Sequence, residues 1–260
     1  MAKKKAKTGK LNTVMWLLFI FFAIIFSLAT YYYLQSRKEP KTSFVRYAGF
    51  GIDIPESYNI HGIDISYYQG NVNWNAVRGM QVKKVKIGFA FMKATEGLGN
   101  VDKMFKRNWK NADRAGITRG AYHFFLATKS GKAQAENFIR NVTLKPGDLP
   151  PVLDIEQLYG VKPEKMRKEV QIWLQTVEDY YHVKPIIYTF VNFYSRYLDG
   201  AFEQYPLWAA HYLEQKKPNI NRPWLFWQHN ERGRVNGIVT RVDFNVFNGD
   251  STDFEALLVK

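Results

Sequence analysis

The chain has 260 residues, room for one domain of about 200 residues plus a tail. It contains no cysteine, which excludes disulfides and thiolate metal sites. Its 37 basic residues outnumber 23 acidic ones, for a net charge of +14. Five of those charges, Lys3, Lys4, Lys5, Lys7 and Lys10, lie in the first 35 residues, which hold no acid. The remaining +9 suits a polyanionic partner, but the charges are scattered and no nucleic-acid-binding module is present.

Residues 1–13 form a basic leader. From Val14 to Leu34 the sequence VMWLLFIFFAIIFSLATYYYL carries no charge over 21 residues. As a helix it spans about 30 Å, the thickness of a bilayer's hydrocarbon core. The lysines before it outnumber Arg37 and Lys38 after it, so the positive-inside bias puts the N-terminus in the cytoplasm and the rest outside. Tyr31, Tyr32 and Tyr33 stand where an interfacial aromatic belt is expected. A cleaved signal peptide is the competing reading, through Ser27-Leu28-Ala29. The length of the run and the bulky tyrosines behind that site favour an uncleaved signal-anchor over 14–34.

Residues 35–58 lack sustained periodicity and read as a linker. The domain of 59–260 then repeats strand-like segments at Ile60–Ser66, Lys84–Ala94, Gly120–Phe125, Pro151–Glu156, Pro185–Phe190, Leu207–Tyr212, Leu225–His229 and Arg241–Phe247. Helix-sized stretches at Asp102–Ala115, Lys132–Val142 and Pro163–Tyr181 separate the early ones. The last has Pro163 as an opener and apolar residues at Met166, Val170, Trp173, Leu174 and Val177. The connections Leu213–Trp224 and Asn230–Thr240 are too short and too rich in Pro, Asn and Gly for crossover helices. The pattern predicts an α/β fold with a mainly parallel sheet: an incomplete TIM-like barrel, (β/α)5(β)3.

In such a barrel the chemistry sits at the C-terminal ends of strands. Asp64 closes HGIDIS, Asp154 and Glu156 close PPVLDIE, and Asp243 lies in RVDFNVF. Residues two apart on a strand share a face, about 6.5–7 Å apart, so both carboxylates of Asp-Ile-Glu face the barrel mouth. Neighbouring carboxylates raise one another's pKa and keep one protonated as a general acid, which suits glycosidic cleavage. Trp227, Trp208, Tyr188 and Tyr122 lie near strand ends, available for stacking on sugar faces or for core packing. His123 and His229 are available for catalysis or for packing. No HxH or HExxH spacing supports a metal site, and no cofactor is expected.

The ordered motifs HGIDISYYQGNVNW, FMKATEG, GAYHFF, AQAENFI, PPVLDIE, PIIYT, PLWAAHY, FWQH and VDFNVF closely resemble those of the glycoside hydrolase family 25 lysozymes, the Chalaropsis-type muramidases. The resemblance runs from about His61 to Phe247 and implies a (β/α)5(β)3 barrel. It also implies hydrolysis of the β-1,4 bond between N-acetylmuramic acid and N-acetylglucosamine in peptidoglycan, with retention by substrate assistance. Glu156 would be the acid and then the base, and Asp154 would support the substrate's 2-acetamido group. Asp64 and Asp243 would bind substrate and tune the pair, and Tyr188 would hydrogen-bond the acetamido group. Trp227 and Gln228 would line sugar subsites, with Tyr122, His123, Trp208 and Glu96 as further substrate contacts. The expected partners are glycan strands and a membrane, with the domain on the outer side of a bacterial envelope. Two alternatives stand beside this reading: a non-catalytic wall-binding protein on the same scaffold, and a metal-dependent peptidoglycan deacetylase.

Overall fold

The computed structural model describes residues 7–36, 43–212, 214 and 216–260. The basic leader thus lies partly outside the described residues, as do residues 37–42. Two compact units divide the chain, at Lys41 and Thr42. The first contains helix α1 (Lys7–Ser36), whose segment Met15–Tyr32 is long and apolar enough to cross a bilayer. From Met15 to Tyr32 its described side chains are exposed, as expected of a helix whose apolar residues surround it rather than form a stripe.

The second unit opens with an antiparallel hairpin, β1 (Phe44–Tyr47) and β2 (Ile52–Pro55). This corrects the expectation of a linker through residue 58. Tyr47, Phe50, Ile52 and Ile54 are each almost wholly buried. Two four-residue strands are too short to show a period in the sequence, yet alternation places Ile52 and Ile54 on one face.

Elements then follow in the order β3 (His61–Ile65), α2 (Trp74–Gly79), β4 (Gln81–Val82), β5 (Val85–Glu96), β6 (Asn100–Val101), α3 (Phe105–Arg114), β7 (Thr118–Phe124), α4 (Gly131–Asn141), β8 (Val152–Asp154), α5 (Pro163–Tyr181) and β9 (Ile186–Phe190). The short α6 (Val191–Phe193) runs into a π-helical turn, Tyr194–Leu198. The strands β10 (Leu207–Ala210), β11 (Phe226–Gly233) and β12 (Val242–Phe247) and helix α7 (Ser251–Leu257) complete the chain.

Eight strands close into a barrel in the order β3, β5, β7, β8, β9, β10, β11, β12, and β12 returns to β3. The β11–β12 and β12–β3 contacts are antiparallel and the other six parallel, so β12 alone runs against its neighbours. Each expected strand corresponds to one of the eight. The expected helix Pro163–Tyr181 matches α5 end to end, with Pro163 in its first turn.

Strand alternation divides the apolar residues into two populations. Inward-facing Phe89, Phe91, Val152, Ile186, Trp208, Phe226 and Phe247 pack in one cluster with Phe254 of α7. Outward-facing Ile63, Ile65, Leu153, Ile155, Ile187, Trp227 and Phe244 join the helices and the hairpin in the larger core. Asp250 caps α7 through the backbone N–H groups of Thr252 and Asp253, which holds Phe254 against Phe89 and Phe247.

Helices α4 and α5 come into close contact at Gly131. A Cβ there would lie 2.0 Å from the Glu169 carbonyl oxygen, and the Gly131 N–H donates to the Glu169 carboxylate at 2.6 Å. The obstacle is backbone, so neither helix can yield without shifting. Gly131→Ala is therefore expected to destabilise the domain by about 1–3 kcal/mol. Chemical denaturation of the variant, with a lowered midpoint at unchanged slope, is the check.

Candidate active site

A cleft of about 330 Å³ opens at the C-terminal ends of the parallel strands. Asp64, Asp154, Glu156 and Asp243 all line it, so the four expected acids share one cavity although they come from three strands and the turn after β8. Tyr122, Tyr188, Trp208 and Gln228 line it too.

Its floor is aromatic. Trp208 stacks on Phe91 at 4.4 Å, meets Tyr188 edge-on at 4.6 Å, and lies above Phe226. Polar groups at the strand ends therefore rest on apolar material, and their pKa values follow. Burial, above all, pushes Asp154 well above the carboxylate range, and neighbouring Glu156 adds to it while Lys93 opposes. Glu156 is raised by burial and then by Asp64, with Lys93 opposing. Burial, then Asp64, raises Asp243 to about 9. Desolvation thus leads and carboxylate repulsion follows, the reverse of the emphasis drawn from sequence.

A chain of hydrogen bonds fixes the rear of the cleft. The Tyr188 and Tyr212 hydroxyls donate to Gln228 Oε1 at 2.7 and 2.5 Å, and Gln228 Nε2 donates to Asp64 Oδ2 at 2.7 Å. Asn245 Nδ2 donates to the same oxygen at 2.8 Å, while Asn245 Oδ1 accepts from Trp208 Nε1 at 2.8 Å. Each amide is oriented by a donor behind it. The two amide bonds also favour ionised Asp64, which is raised only to about 6 despite full burial. By contrast, Asp154 Oδ1 is buried without a hydrogen-bond partner among the described residues.

Three expected contacts lie elsewhere. Trp227 packs outside the barrel against Phe44, Tyr58 and Trp224, with Nε1 donating to the His211 carbonyl. His123 is stacked on Trp173 of α5, and its ring nitrogens meet Thr95 and Gln134. Alternation explains both: Gln228 and Tyr122 point inward, so the adjacent Trp227 and His123 point outward. Glu96 stands beside the cleft, joined to Lys93 at 2.6 Å, and lines a second cavity. His229 also faces outward and is buried.

Sequence reasoning missed Lys93, Tyr68, Tyr212, Glu231 and Asn245. Counting by twos finds two of them: Lys93 follows inward Phe91, and Asn245 follows Asp243.

Asp64 and Asp243 bind protons more tightly in the folded chain than an ordinary aspartate, whose pKa is 3.8. Their contribution to stability is fully present below that value. It is lost as pH rises through about 6 for Asp64 and about 9 for Asp243. Asp243→Asn is thus expected to raise the melting temperature relative to the parent at pH 9 and to leave it nearly unchanged at pH 3.5, as read by thermal unfolding at both values.

A family model described as glycosyl hydrolases family 25 matches residues 63–238. The uncharacterized protein YegX of Escherichia coli (strain K12) is 44% identical over 209 residues, which is 80% of this chain and 77% of that protein. Lysozyme M1 of Streptomyces globisporus is 35% identical over 221 residues, covering 78% of this chain and 72% of its own length. The solved structure of a family 25 glycosyl hydrolase from Bacillus anthracis aligns with a TM-score of 0.71 at 36% identity, over 77% of this chain and 94% of that one. Barrel, acidic cleft and matched length agree, and this chain belongs to glycosyl hydrolases family 25, as a glycoside hydrolase of the lysozyme type.

Proposed function

We propose that the chain is an N-acetylmuramidase, cleaving the β-1,4 bond between N-acetylmuramic acid and N-acetylglucosamine with retention, on a barrel of (β/α)5(β)3 type. The observation that carries this reading is the convergence of Asp154 and Glu156 on one cleft, both raised chiefly by burial.

Glu156 donates its proton to the glycosidic oxygen, which takes the bonding electron pair as the C–O bond breaks. The carbonyl oxygen of the substrate's own 2-acetamido group bonds to the anomeric carbon from the opposite face. Asp154 accepts from the acetamido N–H, and the developing positive charge favours its ionised form, leaving the pair's proton on Glu156. Glu156 then takes a proton from water as that water opens the cyclic intermediate. Two inversions give net retention. Tyr188, whose hydroxyl donates to Gln228, flanks the acetamido group, and Asp64 and Asp243 hold substrate and tune the pair. Tyr122, Trp208 and Gln228 line the sugar subsites.

The apolar segment of α1 serves as an uncleaved anchor with the N-terminus in the cytoplasm and the barrel on the outer side of a bacterial envelope. Support comes from its length and composition and from the basic residues before it. A lytic enzyme fixed to a membrane remodels nearby wall or clears a path for an envelope machine.

The test is the full-length chain in detergent, acting on purified peptidoglycan, with mass spectrometry of the fragments. Products with reducing-end muramic acid are expected, unaffected by a chelator. Glu156→Gln should lower kcat by about 100-fold or more. The parent's rate should fall on the alkaline side as Glu156 loses its proton, a limb the variant lacks. Efficient cleavage of fully de-N-acetylated wall would sink the substrate-assisted mechanism.

A further inference from the structure

A second cavity of about 270 Å³ adjoins the catalytic cleft. Its lining includes Tyr67, Lys93, Glu96, Asn100, Asp102 and Lys103, and Lys93 lines both cavities. A pair of stacked tyrosines, centroids 4.1 Å apart, links the two: Tyr68 lines the catalytic cleft and Tyr67 the side pocket. Tyr68 is 69% exposed even with Tyr67 stacked on it, so much of its ring is free to meet a ligand.

The charges of the side pocket are unequally engaged. Glu96 is held by Lys93 at 2.6 Å. Asp102 is buried and accepts from the Tyr67 and Met104 N–H groups, both at 2.8 Å. Lys103 is exposed, lies over the Tyr67 ring at 4.9 Å, and forms no ion pair among the described residues. Beyond it α3 adds exposed Lys106, Arg107 and Lys110, again without ion pairs among the described residues. The one acid on α3, Asp113, is taken by Lys145 at 2.6 Å and Arg119 at 3.8 Å.

The pocket lining itself balances two lysines against two acids, so the excess positive charge comes from Lys106, Arg107 and Lys110 beyond it, and a neutral sugar has no use for that excess. A short peptide with free carboxylates does, and its amides also match the polar side chain of Asn100. We propose that this side pocket binds the acidic peptide branch that muramic acid carries in peptidoglycan, with Lys103 as the carboxylate-binding residue. The proposal deepens the muramidase reading and rests on it. The sugar backbone lies along the catalytic cleft on the Tyr68 side, and the branch passes the tyrosine pair toward Lys103. The enzyme thus prefers glycan that still bears peptide.

The test compares two soluble substrates, peptide-bearing glycan fragments and the same fragments with peptide removed by an amidase. The full-length parent in detergent, Lys103→Glu and Lys103→Arg are measured on both. The parent should show the higher kcat/KM on peptide-bearing fragments. Lys103→Glu should lower that value about fivefold through KM, with kcat unchanged, and so abolish the preference. Lys103→Arg should retain it. An equal loss on both substrates would make the pocket an ordinary sugar subsite and overturn the proposal, as would no loss on either. A parent inactive on both would instead remove the muramidase reading, and this proposal with it.

Discussion

The site depends on desolvation. Four carboxylates are gathered at the mouth of a barrel whose interior is filled with Phe89, Phe91, Trp208, Phe226 and Phe247. Water below the acids is replaced by aromatic carbon, so each acid holds its proton more tightly than it would at a surface. A barrel floored with polar groups could hold the same acids at the same positions and leave them ionised. The aromatic packing is therefore part of the chemistry as well as of the core. It carries a cost, since buried carboxylates oppose folding at neutral and alkaline pH.

The polar network behind the acids holds them unequally. Asp64 receives two amide hydrogen bonds and Asp154 Oδ1 receives none, although both sit on the same floor. Both bonds to Asp64 fall on Oδ2, which fixes the carboxylate while Oδ1 keeps its capacity for a ligand. An unsaturated buried oxygen is costly until something donates to it. Under the proposed mechanism the donor that Asp154 Oδ1 lacks would be the acetamido N–H.

Much of this was legible in the sequence, because period-two alternation applies as firmly to Asp154-Ile155-Glu156 as to any strand. The same rule, applied evenly, would have removed Trp227 and His123 from the site, for their neighbours Gln228 and Tyr122 already claim the inward face. The resemblance drew attention to motifs as blocks, whereas a strand motif has two sides. Lys93 and Asn245 were readable by counting from Phe91 and Asp243. Tyr212 was not: it follows β10, and its role depends on meeting Gln228 of β11, a contact only the closed barrel creates. The hairpin escaped for a different reason, since four-residue strands joined by Ala48–Gly51 are shorter than any window that detects alternation.

That hairpin answers a physical need set by the topology. Among the described residues no helix separates β10 from β11 or β11 from β12, yet their outward side chains include Trp227, Val242, Phe244 and Val246, all buried. Bare strands with an apolar outer face require a cover. Phe44 meets Trp227 edge-on at 5.7 Å, Phe50 meets Phe244 at 5.2 Å, and the Arg234 N–H donates to the Phe50 carbonyl. The same contacts shut His229 in with Phe44, Trp227 and Phe244, where burial lowers it to about 3 and keeps the ring neutral. Residues 44–55 precede the family-matched segment, which begins at Ile63. The outer face of these strands is thus covered by chain from outside that segment, and the compact unit that holds the barrel runs from Thr42, ahead of the hairpin.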